Sequence, residues 1–282
     1  MTVAESDQPL RYNPGFGKVP LAFGAAESSA LPGPILIELV RAMDDATEPA
    51  TKSLLHRMVS HGMLAVERIG RVGVYRMIGG MLAGFEAIRN DSRMRAPEPW
   101  SGYFHTVIYD IPETRRPLRD RLRGQAFKAG YRQLRPGVLI SPTDESAQLD
   151  PVGGPDTTFL AGRFEVDLDT AREIARIAWE LDRFGEERRA ALSRLREVLT
   201  RATLPEGPAA LRLWHEVLQP VVDVRFTDGD LPAELLPADW PAGELYAALG
   251  AVGARLSVPI DAFVADVISR SPHRSLVVPL PS

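Results

Sequence analysis

TEPATKSLLHRMVSHGMLAVERIGRVGVYRM, residues 47–77, changes its hydrophobic period once along its length. In the first half Leu54, Leu55, Met58 and Val59 recur at helical spacing after a start at Thr47 or Pro49, and Gly62 stops the helix. In the second half Leu64 and Val66, then Val72, Val74 and Tyr75, read as two short strands joined by a turn at Ile69-Gly70-Arg71. Upstream, Pro34 opens another helix with Ile35, Leu36, Leu39, Val40 and Met43 on one side, ended by Asp44-Asp45. Helix, turn, helix, hairpin is the order of a winged helix, predicted here over residues 31–95. Residues 1–30, rich in Gly, Pro, Ser and Ala and without a sustained period, read as a partly ordered arm.

Downstream, Pro97-Glu98-Pro99 marks a linker. Trp100–Asp110 reads as a buried strand, cut off by Ile111-Pro112, and Glu113–Ala129 as a helix with Leu118, Leu122, Ala126 and Phe127 inward. Tyr131–Leu134 and Gly137–Ser141 form a strand pair around Arg135-Pro136, Thr157–Val166 is a further strand, and Thr170–Phe184 is a helix. This predicts a ferredoxin-like, split βαβ domain over 99–184, with dimerisation as its role. Beyond Gly185 helices recur (188–201, 208–218, and one from about Glu244), interrupted by the turn-dense LPAELLPADWPAG at 231–243. A mostly helical C-terminal domain over 185–282 completes an α+β chain, with the tail from Pro272 read as frayed.

With 282 residues, about two or three domains are expected. No apolar run approaches the roughly 20 residues of a membrane helix; the best is Pro34–Val40, so no membrane association is expected. Met1 onward lacks a basic signal region, which makes the cytoplasm the expected location. The absence of cysteine excludes disulfides, thiolate metal sites and thiol nucleophiles. The net charge of −4 hides an asymmetry. Between Trp100 and Ile140 eight basic residues face three acids, whereas from Arg201 onward six arginines face ten acids.

No GxSxG, HExxH or phosphate-cradling glycine loop occurs, and the five histidines (56, 61, 105, 215, 273) are never paired at ligand spacing, so no enzyme, metal site or cofactor is expected. A helix in the major groove reads base edges with polar side chains near its N-terminus. Thr51, Lys52, Ser53, His56 and Arg57 lie off the apolar stripe of the second helix and are the candidates for that task. Arg68, Arg71 and Arg76 in the hairpin suit phosphates or a minor groove; an ordinary solvated face is the competing reading. Arg115, Arg119 and Arg123 stack at four-residue intervals and suit an anionic effector, DNA phosphates or a partner subunit. Asp110, at a strand end, suits a divalent ion only with further ligands, and a structural role is the stronger reading. The tryptophans at 100, 179, 214 and 240 read as packing anchors.

LPGPILIELV (31–40), KSLLHRMVSHGMLAVERIGRVGVYRM (52–77), VIYDIPETRRPLRDRLRGQAFKAGYRQLRPGVLISP (107–142), AREIARIAWELDRF (171–184) and LPAELLPADWPAG together resemble the PaaX family, repressors of phenylacetic acid degradation. The resemblance implies a homodimer that binds a palindromic double-stranded DNA operator and is released by an aryl-acyl-CoA thioester. It places Lys52, Ser53, His56 and Arg57 on the recognition helix and Arg68, Arg71 and Arg76 on the wing. It also makes the central domain similar to the small CRISPR adaptation nuclease. RYNPGFGKVPLAFG (11–24), where the family carries an apolar first helix, is broken by Pro14, Gly15, Gly17 and Pro20. Two rival readings accompany the repressor: a ligand-binding or scaffold protein with degenerate DNA binding, and a metal-dependent nuclease centred on Asp110.

Overall fold

A computed structural model describes residues 17–89, 98–149, 156–225 and 231–281. The chain is α+β, with two four-stranded antiparallel sheets and a helical C-terminal region. It divides into two compact units, one drawn from Ala96–Arg189 and Asp223–Pro241, the other from Tyr12–Arg95, Ala190–Val222 and Ala242–Ser282. Residues 185–282 are shared between both units.

The second of these units begins with α1 (Lys18–Ala25), β1 (Ser28–Pro32), α2 (Gly33–Ala42) and α3 (Glu48–Ser60). The hairpin β2 (Leu64–Ile69) and β3 (Val72–Met77) and then α4 (Gly79–Arg89) follow. Helix α1 corrects the reading of residues 1–30 as an arm, because Val19, Ala22 and Phe23 are fully buried. Pro20 does not break it. It stands in the first turn, where a backbone N–H has no intrahelical acceptor and its absence costs nothing. Residues 1–16 of the expected arm lie outside the described residues. The α2 and α3 ranges and the β2–β3 register, with Ile69 opposite Val72, agree with the hydrophobic spacing.

The other unit opens with β4 (Tyr103–Asp110), α5 (Arg116–Lys128), β5 (Arg132–Arg135), β6 (Val138–Ser141), β7 (Thr158–Glu165) and α6 (Leu168–Ala178). Its sheet order, β5-β6-β4-β7, is that of the split βαβ arrangement. The second helix, however, follows the last strand instead of preceding it. Alternate strand residues point to opposite faces. Val107, Tyr109 and Leu139 pack with Leu122 and Ala126 of α5, whereas Phe104 and Ile140 pack with Ala171 and Ala175 of α6, so the two helices cover opposite faces. Gly137 turns the chain between β5 and β6 at φ +80°, where a Cβ would come within 2.8 Å of the Tyr109 carbonyl oxygen.

Helix α7 (Leu181–Thr200) is separated from α6 at Trp179-Glu180, correcting the continuous helix expected to Phe184. Trp179 is buried among Phe104 and Leu181, and Glu180 takes φ +49°, which ends α6. Gly185 lies inside α7, and the Trp240 ring occupies the space a side chain there would need. Helices α8 (Pro208–Arg225) and α9 (Ala242–Arg270) follow. Helix α9 is long and apolar enough to cross a membrane by length and composition, although Arg255, Asp261 and Asp266 interrupt its apolar run. Its stripe of Leu245, Val252, Leu256, Ile260, Val264 and Val267 is buried within the protein, while other apolar positions such as Val258 stay exposed. The tail read as frayed forms β8 (Val278–Pro279), which pairs with β1 and completes the sheet β2-β3-β1-β8.

Candidate nucleic-acid interface

Helix α3 owes its start to Thr47, whose side-chain oxygen accepts from the Ala50 N–H at 3.4 Å, with Pro49 in the first turn. Its end is set by Gly62 at φ +67°. Leu54, Leu55 and Met58 are buried, and α2 packs against the helix. Lys52, Ser53, His56 and Arg57 are exposed. Thr51 departs from the expected polar face: it is 1% exposed, and its hydroxyl donates to the Thr47 carbonyl at 3.1 Å. The α3 stripe thus includes a threonine whose polar group is satisfied within the helix, so residue type alone assigned it to the wrong side.

Lys52 pairs with Glu48 at 2.7 Å across one helical turn, and this contact holds the Glu48 carboxyl below its usual range. Arg57 makes no side-chain ion pair among the described residues, and neither do Arg68 and Arg71. In the hairpin, Arg68 is exposed on one face of the ribbon and Arg76 lies on the other, 3.9 Å from Glu67. Arg71 sits at the turn beside Gly70, which takes φ +62°. The hairpin therefore presents cations to two sides and at its tip, a spread that strand alternation dictates.

Arg115 closes a short 3₁₀ turn before α5, and Arg119 donates to Glu113 at 2.7 Å. That bond lowers the Glu113 carboxyl and raises the Arg119 guanidinium. Arg116 lies 3.5 Å from Asp120, while Arg115 and Arg123 have no ion-pair partner among the described residues. Asp110 is exposed at the end of β4, opposite Thr158, and Glu113 spends its carboxylate on Arg119. Among the described residues no group of three His, Cys, Asp or Glu side chains could hold a metal ion.

Two concave sites escaped the sequence. A polar cavity of about 170 Å³ is lined by His105, Tyr131, Asp144, Ser146 and Arg163. There His105 Nδ1 lies 3.6 Å from Asp144, whose carboxyl is lowered by bonds from the Ser146 hydroxyl and N–H. Burial, and then the Asp144 charge, push the Tyr131 hydroxyl up to about 12. His105 and Asp144 stand on separate segments and share no sequence pattern, so only folding joins them. A larger groove, about 990 Å³, runs along α2, α9 and residues 204–208. Its signal was the second apolar stripe of α9, at Val258, Pro259, Ala262 and Phe263.

Two antiparallel sheets, one built on a helix–helix–hairpin run and the other of split-βαβ strand order, define a two-sheet α+β protein. Residues 97–152 match the family model described as the PaaX protein central Cas2-like domain. The uncharacterized protein Rv0674 from Mycobacterium tuberculosis is a structural relative, 28% identical with a TM-score of 0.56. The similarity covers 86% of this chain and 95% of that one. No curated protein matches the sequence.

Proposed function

We propose that the chain is a dimeric DNA-binding transcription repressor released from its operator by a small anionic effector. The match of residues 97–152 to the PaaX central domain supports a regulator over an enzyme. The order α1–β1–α2–α3–β2–β3 supports a winged helix in which α3 enters the major groove and the β2–β3 hairpin serves as the wing. The observation that carries the reading is the two-sidedness of α3: Leu54, Leu55 and Met58 are buried while Lys52, Ser53, His56 and Arg57 face solvent. In this reading Ser53 and His56 meet base edges, Lys52 and Arg57 bases or phosphates, and Arg68, Arg71 and Arg76 the flanking backbone.

The second copy binds through the β4–β7 side of the central sheet. Ile108, Leu160 and Phe164 share one face there and are exposed in the single chain, with Leu160 59% accessible. Arg115, Arg119 and Arg123 meet the phosphates of an acyl-CoA effector, and Arg119→Ala tests that contact through loss of release with operator binding kept.

Fluorescence anisotropy on DNA from immediately upstream of the protein's own coding region, against scrambled DNA at two salt concentrations, tests the DNA reading. Selective binding with a salt slope of several phosphates is expected. Equal, weak binding to upstream and scrambled fragments alike contradicts it.

A further inference from the structure

Helix α9 carries two apolar stripes, and only one of them is spent on the interior. The second, with Val258, Pro259, Ala262 and Phe263, forms one wall of the groove, facing Leu204 and Pro205. Val258 is 75% exposed, with Ala254 and Ala262 one turn away on either side. The groove's volume, about 990 Å³, and its mainly apolar lining match sites for small organic molecules.

The charges around this wall select the ligand. Arg270 is held by two carboxylates, those of Glu38 on α2 and Asp266 on α9. Arg255 donates to the carbonyls of Val198, Leu199 and Arg201, which satisfies its hydrogen bonds without cancelling its charge. Arg41 on α2 donates through its Nε to the Ala46 carbonyl, and among the described residues neither Arg41 nor Glu206 has an ion-pair partner. Once Arg270 and its two carboxylates are set aside with a net −1, two arginines and Glu206 remain at +1, so the whole lining is balanced. The Glu38 and Asp266 charges are directed at Arg270, whereas the terminal nitrogens of Arg41 are open to a ligand.

We infer that this groove binds a small molecule with a flat apolar body and a single anionic group, the body on Val258, Ala262 and Phe263 and the anion at Arg41. Helix α2 packs against both α9 and α3. A body inserted along α9 presses on α2, and α2 is the support on which the exposed face of α3 rests. Binding therefore changes the stability of α3. The consequence for DNA rests on the function proposed above; the binding itself does not.

The test titrates the full chain with 1-naphthaleneacetate by calorimetry, with 2-(1-naphthyl)ethanol as the uncharged counterpart, and follows α3 amides by hydrogen exchange. Saturable one-to-one binding is expected, at least about fivefold weaker for the alcohol, with altered exchange over 48–60. Val258→Glu changes an exposed position, leaves the fold intact and weakens naphthaleneacetate at least about tenfold. Arg41→Ala removes the preference for the acid over the alcohol, and Arg119→Ala binds as the parent does. Absence of saturable binding, equal binding by Val258→Glu, or unchanged α3 exchange on saturation overturns the inference. These readouts contain no DNA, so failure of operator binding leaves them interpretable.

Discussion

The guanidinium of Arg188 lies 4.8 Å from the centre of the Trp240 ring, and Arg188 is fully buried. One of its nitrogens donates to the Val224 carbonyl at 2.6 Å. A buried cation is tolerated only when oxygen acceptors or a π face replace water, and the tryptophan supplies that face. The turn-dense LPADWPAG segment is thus tied to α7 at Arg188, and Gly185 leaves room for the ring.

Trp240→Ala removes the ring and leaves Arg188 against a void. A loss of about 3 kcal/mol is expected from large-to-small truncation. Urea unfolding monitored by far-ultraviolet circular dichroism reads it as a lowered midpoint with unchanged slope. Trp240→Phe, which keeps a π face, should recover most of the loss; an unshifted midpoint for the alanine variant refutes the anchoring role.

At the proposed DNA surface, Lys52 and Arg57 are exposed, so their alanine variants should unfold at the parent temperature. Each should weaken operator binding by about tenfold, the scale of one good polar contact. Arg71→Ala, at the hairpin tip, should lower the salt slope by about 1 while affecting all sequences alike. Thr51→Arg behaves differently: Thr51 is buried, so the arginine disrupts α3 and lowers the melting temperature.

Leu160 pairs with Ile108 across the β4–β7 ladder, and both are exposed in the single chain. Leu160→Asp should shift the protein from dimer to monomer in sedimentation velocity while preserving its circular dichroism. A dimer of undiminished stability in this variant places the dimer contact elsewhere.

His215 on α8 has its Nε2 buried without a hydrogen-bond partner among the described residues. Burial first, and the Lys18 charge second, hold its pKa below the ordinary histidine value of 6.5. The unfolded chain therefore takes up this proton at higher pH than the folded one. Stability is unaffected by this group above pH 6.5 and falls as the pH drops below it. Urea midpoints between pH 7.5 and 5 should decline in the parent, and His215→Gln should flatten part of that decline.

Helices α2 and α3, the β2–β3 hairpin, and the strands and first helix of the central sheet were legible in the sequence, because each carries a hydrophobic period long enough to specify its own face. The same periodicity separated the exposed Lys52, Ser53, His56 and Arg57 from the stripe beneath them. Tertiary structure alone decided the remainder. Ser28–Pro32 and Val278–Pro279 are too short to declare themselves strands, and become so by pairing with each other and with β3 across the length of the chain. Thr51 is interior only in the folded chain, and its hydroxyl finds an acceptor one turn back. His105 meets Asp144, and the second stripe of α9 becomes a groove, only when distant segments arrive beside them. Local spacing sets which face of an element is apolar; long-range contacts choose what that face meets.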